Sequence, residues 1–139
     1  EAVNSAEAGD ELSGRRVSGS NPIEGRALVI DALTAEQGGP IAGFADGDIL
    51  IAPMIHPAWL SEVIRAGGVV SEVGGWLSHM AIIAREHDVA MIVGVRGLNR
   101  ISSGTRVRLT AEGRVEILAA AAHEGVLVEE PEKLRIAAE

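Results

Sequence analysis

Of the four histidines in this 139-residue chain, His79 stands where the neighbouring residues give it the most chemical consequence. It follows Gly74-Gly75 and Ser78 and precedes the apolar run Met80 to Ala84. Two glycines permit positive φ and close backbone approach by another molecule. Ser78 suits an N-cap, because its hydroxyl can accept a free backbone N–H. His79 then falls in the first turn of a helix, where exposed amides and the positive end of the helix dipole favour anions. A neutral ring nitrogen that attacks phosphorus becomes an N-phosphoryl group, whose negative charge the helix end favours in turn. From the residues alone, a capping or merely buried histidine explains His79 at least as well.

Other constellations are weaker. His79 and His87 lie eight residues apart, with no HExxH pattern and no cysteine, so no metal site is expected. Ser78 and His79 are adjacent, and adjacent residues on a helix point apart, which argues against a hydrolase pair. His56, His87 and His123 are expected to be ordinary surface or core residues. Arg85 could bind phosphate or a partner, but a salt bridge with Glu72 or Glu86 is the preferred expectation, and Glu72 is read as structural. Trp76, beside the site, is either a docking residue or core packing.

Positioning these residues requires short strands and short helices. Residues 1–16 are polar and small and read as a tail or linker, and residues 17–118 as the domain proper. RALVID from Arg26 is a strand candidate, followed by a Gly-rich interruption around Gly38, Gly39 and Gly43. ILIAP is a short strand ended by Pro53. Pro57 to Ala66 reads as a helix with Leu60, Val63 and Ile64 on its apolar face, stopped by Gly67-Gly68. GVVSE is a strand, and a second helix spans about Ser78 to His87, apolar all round at its centre and so expected to be buried on more than one side. AMIVGV is a strand, and RVRLT and RVEIL form a hairpin. Residues 119–139 read as a tail or short helix. Strands alternating with two helices predict a mixed α/β domain with strands in more than one layer.

Composition narrows the function classes. A net charge of −8 repels phosphate backbones, and an aromatic content of 2% leaves little to stack on bases, so nucleic acid is not expected as a partner. No apolar stretch approaches the roughly 18 residues of a membrane span, and no signal pattern is present, so a cytoplasmic setting without membrane attachment is expected. The chain starts at Glu1 rather than Met, which suggests a piece of a longer protein.

The stretch GGWLSHMAIIAREHDVAMIVGV resembles the active-site signature of the PEP-utilising enzymes, a family that includes phosphoenolpyruvate synthases, pyruvate phosphate dikinases and rifampin phosphotransferases. The shared features are Gly74-Gly75, Ser78, His79, Ala81-Ile82-Ile83-Ala84-Arg85 and Val93-Gly94, and the similarity extends over residues 12–118. The resemblance implies an α/β fold, the β/β/α sandwich of the phosphohistidine swivelling domain. It implies that His79 is phosphorylated on Nε2 from ATP or phosphoenolpyruvate and passes the group on, with Gly74, Gly75 and Ser78 supporting the phosphate loop. Partners would be nucleotide-binding and acceptor or phosphoenolpyruvate-binding domains. Those domains would hold Mg²⁺ and the ATP or phosphoenolpyruvate, and this domain would bind no cofactor. The chain departs from the common pattern at Leu77, where a Thr is frequent, at Met80, where a small residue is usual and bulk could narrow access to the ring, and at Ala90, where Pro is frequent. Leu77 tilts the expectation toward ATP-driven members. The alternative is a docking or regulatory module of the same fold that has lost its chemistry.

Overall fold

The computed structural model describes residues 5–120. In chain order the elements are β1 (Glu11–Ser13), β2 (Arg15–Ser18), β3 (Ile23–Val29), α1 (Ala32–Gln37), β4 (Ile49–Ala52), α2 (Leu60–Arg65), β5 (Gly68–Ser71), α3 (His79–Glu86), β6 (Ala90–Val93), β7 (Arg106–Leu109) and β8 (Arg114–Ala119). Single 3₁₀ turns cover Pro57–Trp59 and Leu98–Arg100.

The strands are hydrogen-bonded in the order β1-β8-β7-β3-β4-β5-β6-β2. β3 joins two differently built halves. Its first part, Ile23 to Arg26, pairs antiparallel with β7, and its second, Ala27 to Val29, pairs parallel with β4. The parallel half, β3-β4-β5-β6, is assembled from three successive strand–helix units. Connections of one hand stepping in one direction place all their helices on one face of the sheet.

Burial follows from this layering. β4 is buried at all four positions, the mark of a strand covered on both sides. Leu50 and Ala52 face the helices, in a core shared with Ala35, Val63, Met80, Ala81 and Ala84. Ile49 and Ile51 face the opposite way, in a second core shared with Val107, Leu109, Val115 and Ile117 of the antiparallel half. β6 alternates likewise, with Met91 and Val93 in the first core and Ala90 and Ile92 in the second. Two sheet layers and one helix layer result, the β/β/α sandwich expected. The outer face of the antiparallel half is polar, and Arg108 bridges Glu24 and Glu116 on the strands to either side, at 2.9 Å each. The two carboxylates raise the Arg108 guanidinium further above its already high range.

Several expectations are corrected. The 1–16 stretch is not simply a tail, since Glu11–Ser13 and Arg15–Ser18 are strands at opposite ends of the sheet. β1 buries only Leu12 among its residues, so no apolar period marks it. A third helix, α1, precedes the Gly-rich stretch. Asp31 caps its start and Gly38, in the left-handed region, ends it, but only Ala35 is buried. The apolar face predicted for α2 is also displaced. Trp59 and Val63 are buried, whereas Leu60 and Ile64 are 41% and 38% exposed. The 3₁₀ turn at Pro57 rotates the start of the helix and brings Trp59 inward, its indole N–H donating to the Gly39 carbonyl at 2.9 Å. Finally, α3 buries one side only. Met80, Ala81 and Ala84 face the core and Ile82 faces out. The predicted tail beyond residue 120 lies outside the described residues.

Candidate active site

All three helices begin at the edge of the sheet where the parallel strands end, the edge at which open α/β sheets place their ligand sites. The connection from β5 to α3 carries the sequence-predicted residues. It is fixed at its start by the backbone amides of Glu72 and Val73, both 3.2 Å from the Pro53 carbonyl. The Ser71 hydroxyl donates to the Val73 carbonyl at 2.7 Å. Gly74 then takes φ +129°, which a residue with a side chain rarely adopts. A Cβ there would meet nothing closer than 3.4 Å, so the backbone angle rather than crowding demands glycine. Gly75 has no such angle. Nothing lies within 4 Å of where its Cβ would be, so it leaves open space beside the loop. The Gly75 carbonyl accepts from the Ser78 amide at 3.1 Å, closing the turn.

Ser78 is the N-cap of α3, in extended conformation, with its hydroxyl accepting from the Ala81 amide at 3.3 Å. His79 is the first helical residue and is exposed. Among the described residues, the backbone amides of His79 and Met80 have no acceptor, and the first turn of α3 holds no acidic side chain. The end of the helix is therefore an open, uncompensated array of donors beside the imidazole. His79 lines a cleft of about 260 Å³ together with Met54, Pro57, Val73, Ser78 and Met80. Met80 is buried and packs into the helix-side core while forming part of the wall of this cleft.

Gly74, Gly75, Ser78 and His79 are thus brought together at one loop–helix junction; the Glu72 side chain lies outside it, and Arg85 reaches it through Trp76. Glu72 is exposed and lines a different cleft of about 510 Å³ with Val29, Asp31, Pro53 and Leu98. Arg85 makes neither of the salt bridges expected. Its guanidinium donates to the Val17 carbonyl at 2.9 Å and to the Trp76 carbonyl at 2.7 Å. It also lies over the Trp76 ring, 4.2 Å from the centroid. Trp76 is consequently not core packing, being 53% exposed. No sequence signal marks this pair, which depends on the loop turning back along the helix. His56 acts locally, with its Nδ1 accepting from the Ala58 amide at 2.9 Å, and His123 lies outside the described residues. Around His79 the surface is apolar, with Met54, Val73, Trp76, Leu77 and Ile82 all exposed. Among the described residues no helix is long and apolar enough to cross a membrane.

Comparison with known proteins places this junction in a family. The sequence pattern described as "PEP-utilising enzyme, mobile domain" matches residues 44–113, about half the chain, and includes the whole His79 connection. A rifampicin phosphotransferase of Bacillus cereus is 40% identical over 101 residues, 71% of this chain and 11% of that protein. A phosphoenolpyruvate synthase of Deinococcus radiodurans is 36% identical over 107 residues, 76% of this chain and 13% of that protein. The chain therefore spans only about an eighth or less of the length of these relatives. Among solved structures, aconitase X of Thermococcus kodakaraensis shares the fold, with a TM-score of 0.62 at 22% identity, over 79% of this chain and 99% of that one. The chain belongs to the mobile-domain family of the PEP-utilising enzymes.

Proposed function

We propose that this member of the PEP-utilising family is the phosphoryl carrier of a multidomain phosphotransferase, with His79 as the residue transiently phosphorylated. The observation that carries the reading is the exposed imidazole at the start of α3, beside a neutral cap and two unpartnered amides, within the matched stretch. In the loading step the His79 Nε2 lone pair forms the N–P bond. The donor's P–O bond breaks, and its electron pair leaves on oxygen. The remaining ring proton stays on Nδ1. The new phosphoryl group meets the positive end of the helix, which stabilises its charge. In the unloading step an acceptor oxygen attacks phosphorus, and the N–P electron pair returns to Nε2. An alcohol acceptor gives its proton to a base of the acceptor domain.

The apolar collar around His79 is where the donor and acceptor domains would dock in turn, excluding water from a bond that hydrolyses readily. ATP or phosphoenolpyruvate, with Mg²⁺, would be held by those domains.

The test is intact mass after incubation with the remainder of the parent protein, or a related phosphotransferase active on another carrier, and either ATP or phosphoenolpyruvate. One acid-labile phosphoryl group that disappears in His79→Ala is the expected result, and the donor that works assigns the branch. No label from either donor would leave the domain as a docking module.

A further inference from the structure

We propose that Arg85 is a positioning residue for the reaction of His79, acting by latching the loop that precedes it to the far end of α3 and to the sheet. The inference rests on the phosphoryl-carrier reading and adds a residue to it. Arg85 sits in the last turn of α3, six residues beyond His79. A basic residue there ordinarily serves the helix C-terminus or a nearby carboxylate, and Glu86 is its immediate neighbour in the chain. Its guanidinium instead reaches two carbonyls that belong to neither. One is Val17 in β2, at 2.9 Å, and the other is Trp76, at 2.7 Å and three residues before His79. The Trp76 ring covers the face of the same guanidinium at 4.2 Å. One N–H on each terminal nitrogen and the contact with the ring thus turn this cation toward the loop and β2.

The consequence follows from what else holds the loop. Its first half is tied to Pro53 and by the Ser71 hydroxyl. Gly75 has no atom within 4 Å of where its Cβ would be, and among the described residues its carbonyl accepts only from the nearby Ser78 amide. Between Gly75 and the Ser78 cap, Arg85 holds Trp76 by hydrogen bond and ring contact, whereas Leu77 is 78% exposed. Released from Arg85, Trp76 and Leu77 would swing with Gly75, and the Ser78–His79 junction would lose its fixed approach direction. Two donors on separate nitrogens and a face over a ring require guanidinium geometry, which the compact ammonium of lysine does not reproduce.

The test uses the 139-residue chain and phosphoramidate, a small donor that needs no partner protein. In this reaction the Nε2 lone pair forms the N–P bond, and the phosphoramidate P–N bond breaks to release ammonia. Label at His79 is followed by peptide mapping, well below the melting temperature of each variant. Arg85→Lys should label about tenfold more slowly than wild type, to the same final single phosphoryl group. Trp76→Ala keeps both backbone acceptors and should slow labelling about threefold. The double variant should be no slower than Arg85→Lys alone, because the two groups act as one unit. The ring-current displacement of the Arg85 side-chain proton resonances, lost in Trp76→Ala, reports the latch independently of any reaction. Wild-type rates in both variants would overturn the latch and leave the carrier reading intact. A wild-type chain that takes no label at His79 would overturn both.

Discussion

Helices α1 and α3 begin at the same edge of the sheet, each following a parallel strand, yet their first turns are finished in opposite ways. At α1 the cap is a carboxylate, with Asp31 accepting from the Thr34 amide at 2.8 Å. That hydrogen bond, foremost, holds the Asp31 carboxyl below the usual carboxylate range. The protein thus places its own anion on the positive end of α1. At α3 the cap is the neutral Ser78 hydroxyl, the first turn holds no acid, and two amides remain unpartnered beside His79 among the described residues. One end is electrostatically complete and the other is not. Capping chemistry, more than the presence of a helix, separates the scaffold from the site.

Exchanging the caps breaks this contrast most directly. Ser78→Asp should keep α3 capped and stabilise it by about 0.5 kcal/mol, since an acid at a helix N-terminus is favourable. The same carboxylate would repel an incoming phosphoryl group at close range. Labelling of His79 should therefore fall about tenfold, equivalent to about 1.4 kcal/mol in the barrier. Stability and reactivity moving in opposite directions, read by denaturant melts beside labelling rates, would support an open helix end as the functional feature. An unchanged rate would remove the electrostatic argument.

Gly74→Val sharpens the comparison from the backbone side. The φ of +129° at Gly74 is strained for any side chain, and a Cβ there would already be in ordinary contact with Val93 at 3.4 Å. The substitution should cost about 1–3 kcal/mol, measured by urea unfolding. Gly75→Ala, which meets nothing, should cost less than about 1 kcal/mol. Equal costs would mean the loop relaxes and that the turn at Gly74 is not needed to deliver Ser78 to its capping position.

The contrast also explains what could be read from the chain. The α3 end was legible because its signals are local: a Gly before the turn, a hydroxyl at the cap and an apolar core face beginning at Met80. The strands of the parallel half were legible because burial on both faces leaves continuous apolar runs, as in Ile49–Ala52. α1 escaped notice although Asp31 and Gly38 mark its two ends, because with only Ala35 buried it has no period. β1 escaped because its partner, β8, lies about a hundred residues away and only Leu12 points inward. The Arg85–Trp76 contact was illegible for a related reason. Charge pairing predicted Glu72 or Glu86, whereas the fold offers the Trp76 carbonyl and ring in the loop and the Val17 carbonyl in β2.

The smallest effect tests the other half of the comparison, that α1 is completed by a titratable group. Asp31 has a folded-state pKa below its unfolded value. Its contribution is therefore fully present above the usual carboxylate range and is lost as the pH falls through the depressed folded value. Asn caps a helix nearly as well as Asp but does not titrate. Asp31→Asn should accordingly match wild type closely at neutral pH and gain on it as the pH is lowered from about 5 toward 3, read as the difference between their urea midpoints. Ser78→Asp should show the reverse, acquiring at α3 the pH dependence that Asp31→Asn removes from α1. If both variants track wild type through acid, the two helix ends do not differ in the electrostatic sense, and the selectivity of α3 for a phosphoryl group would have to come from the His79 loop alone.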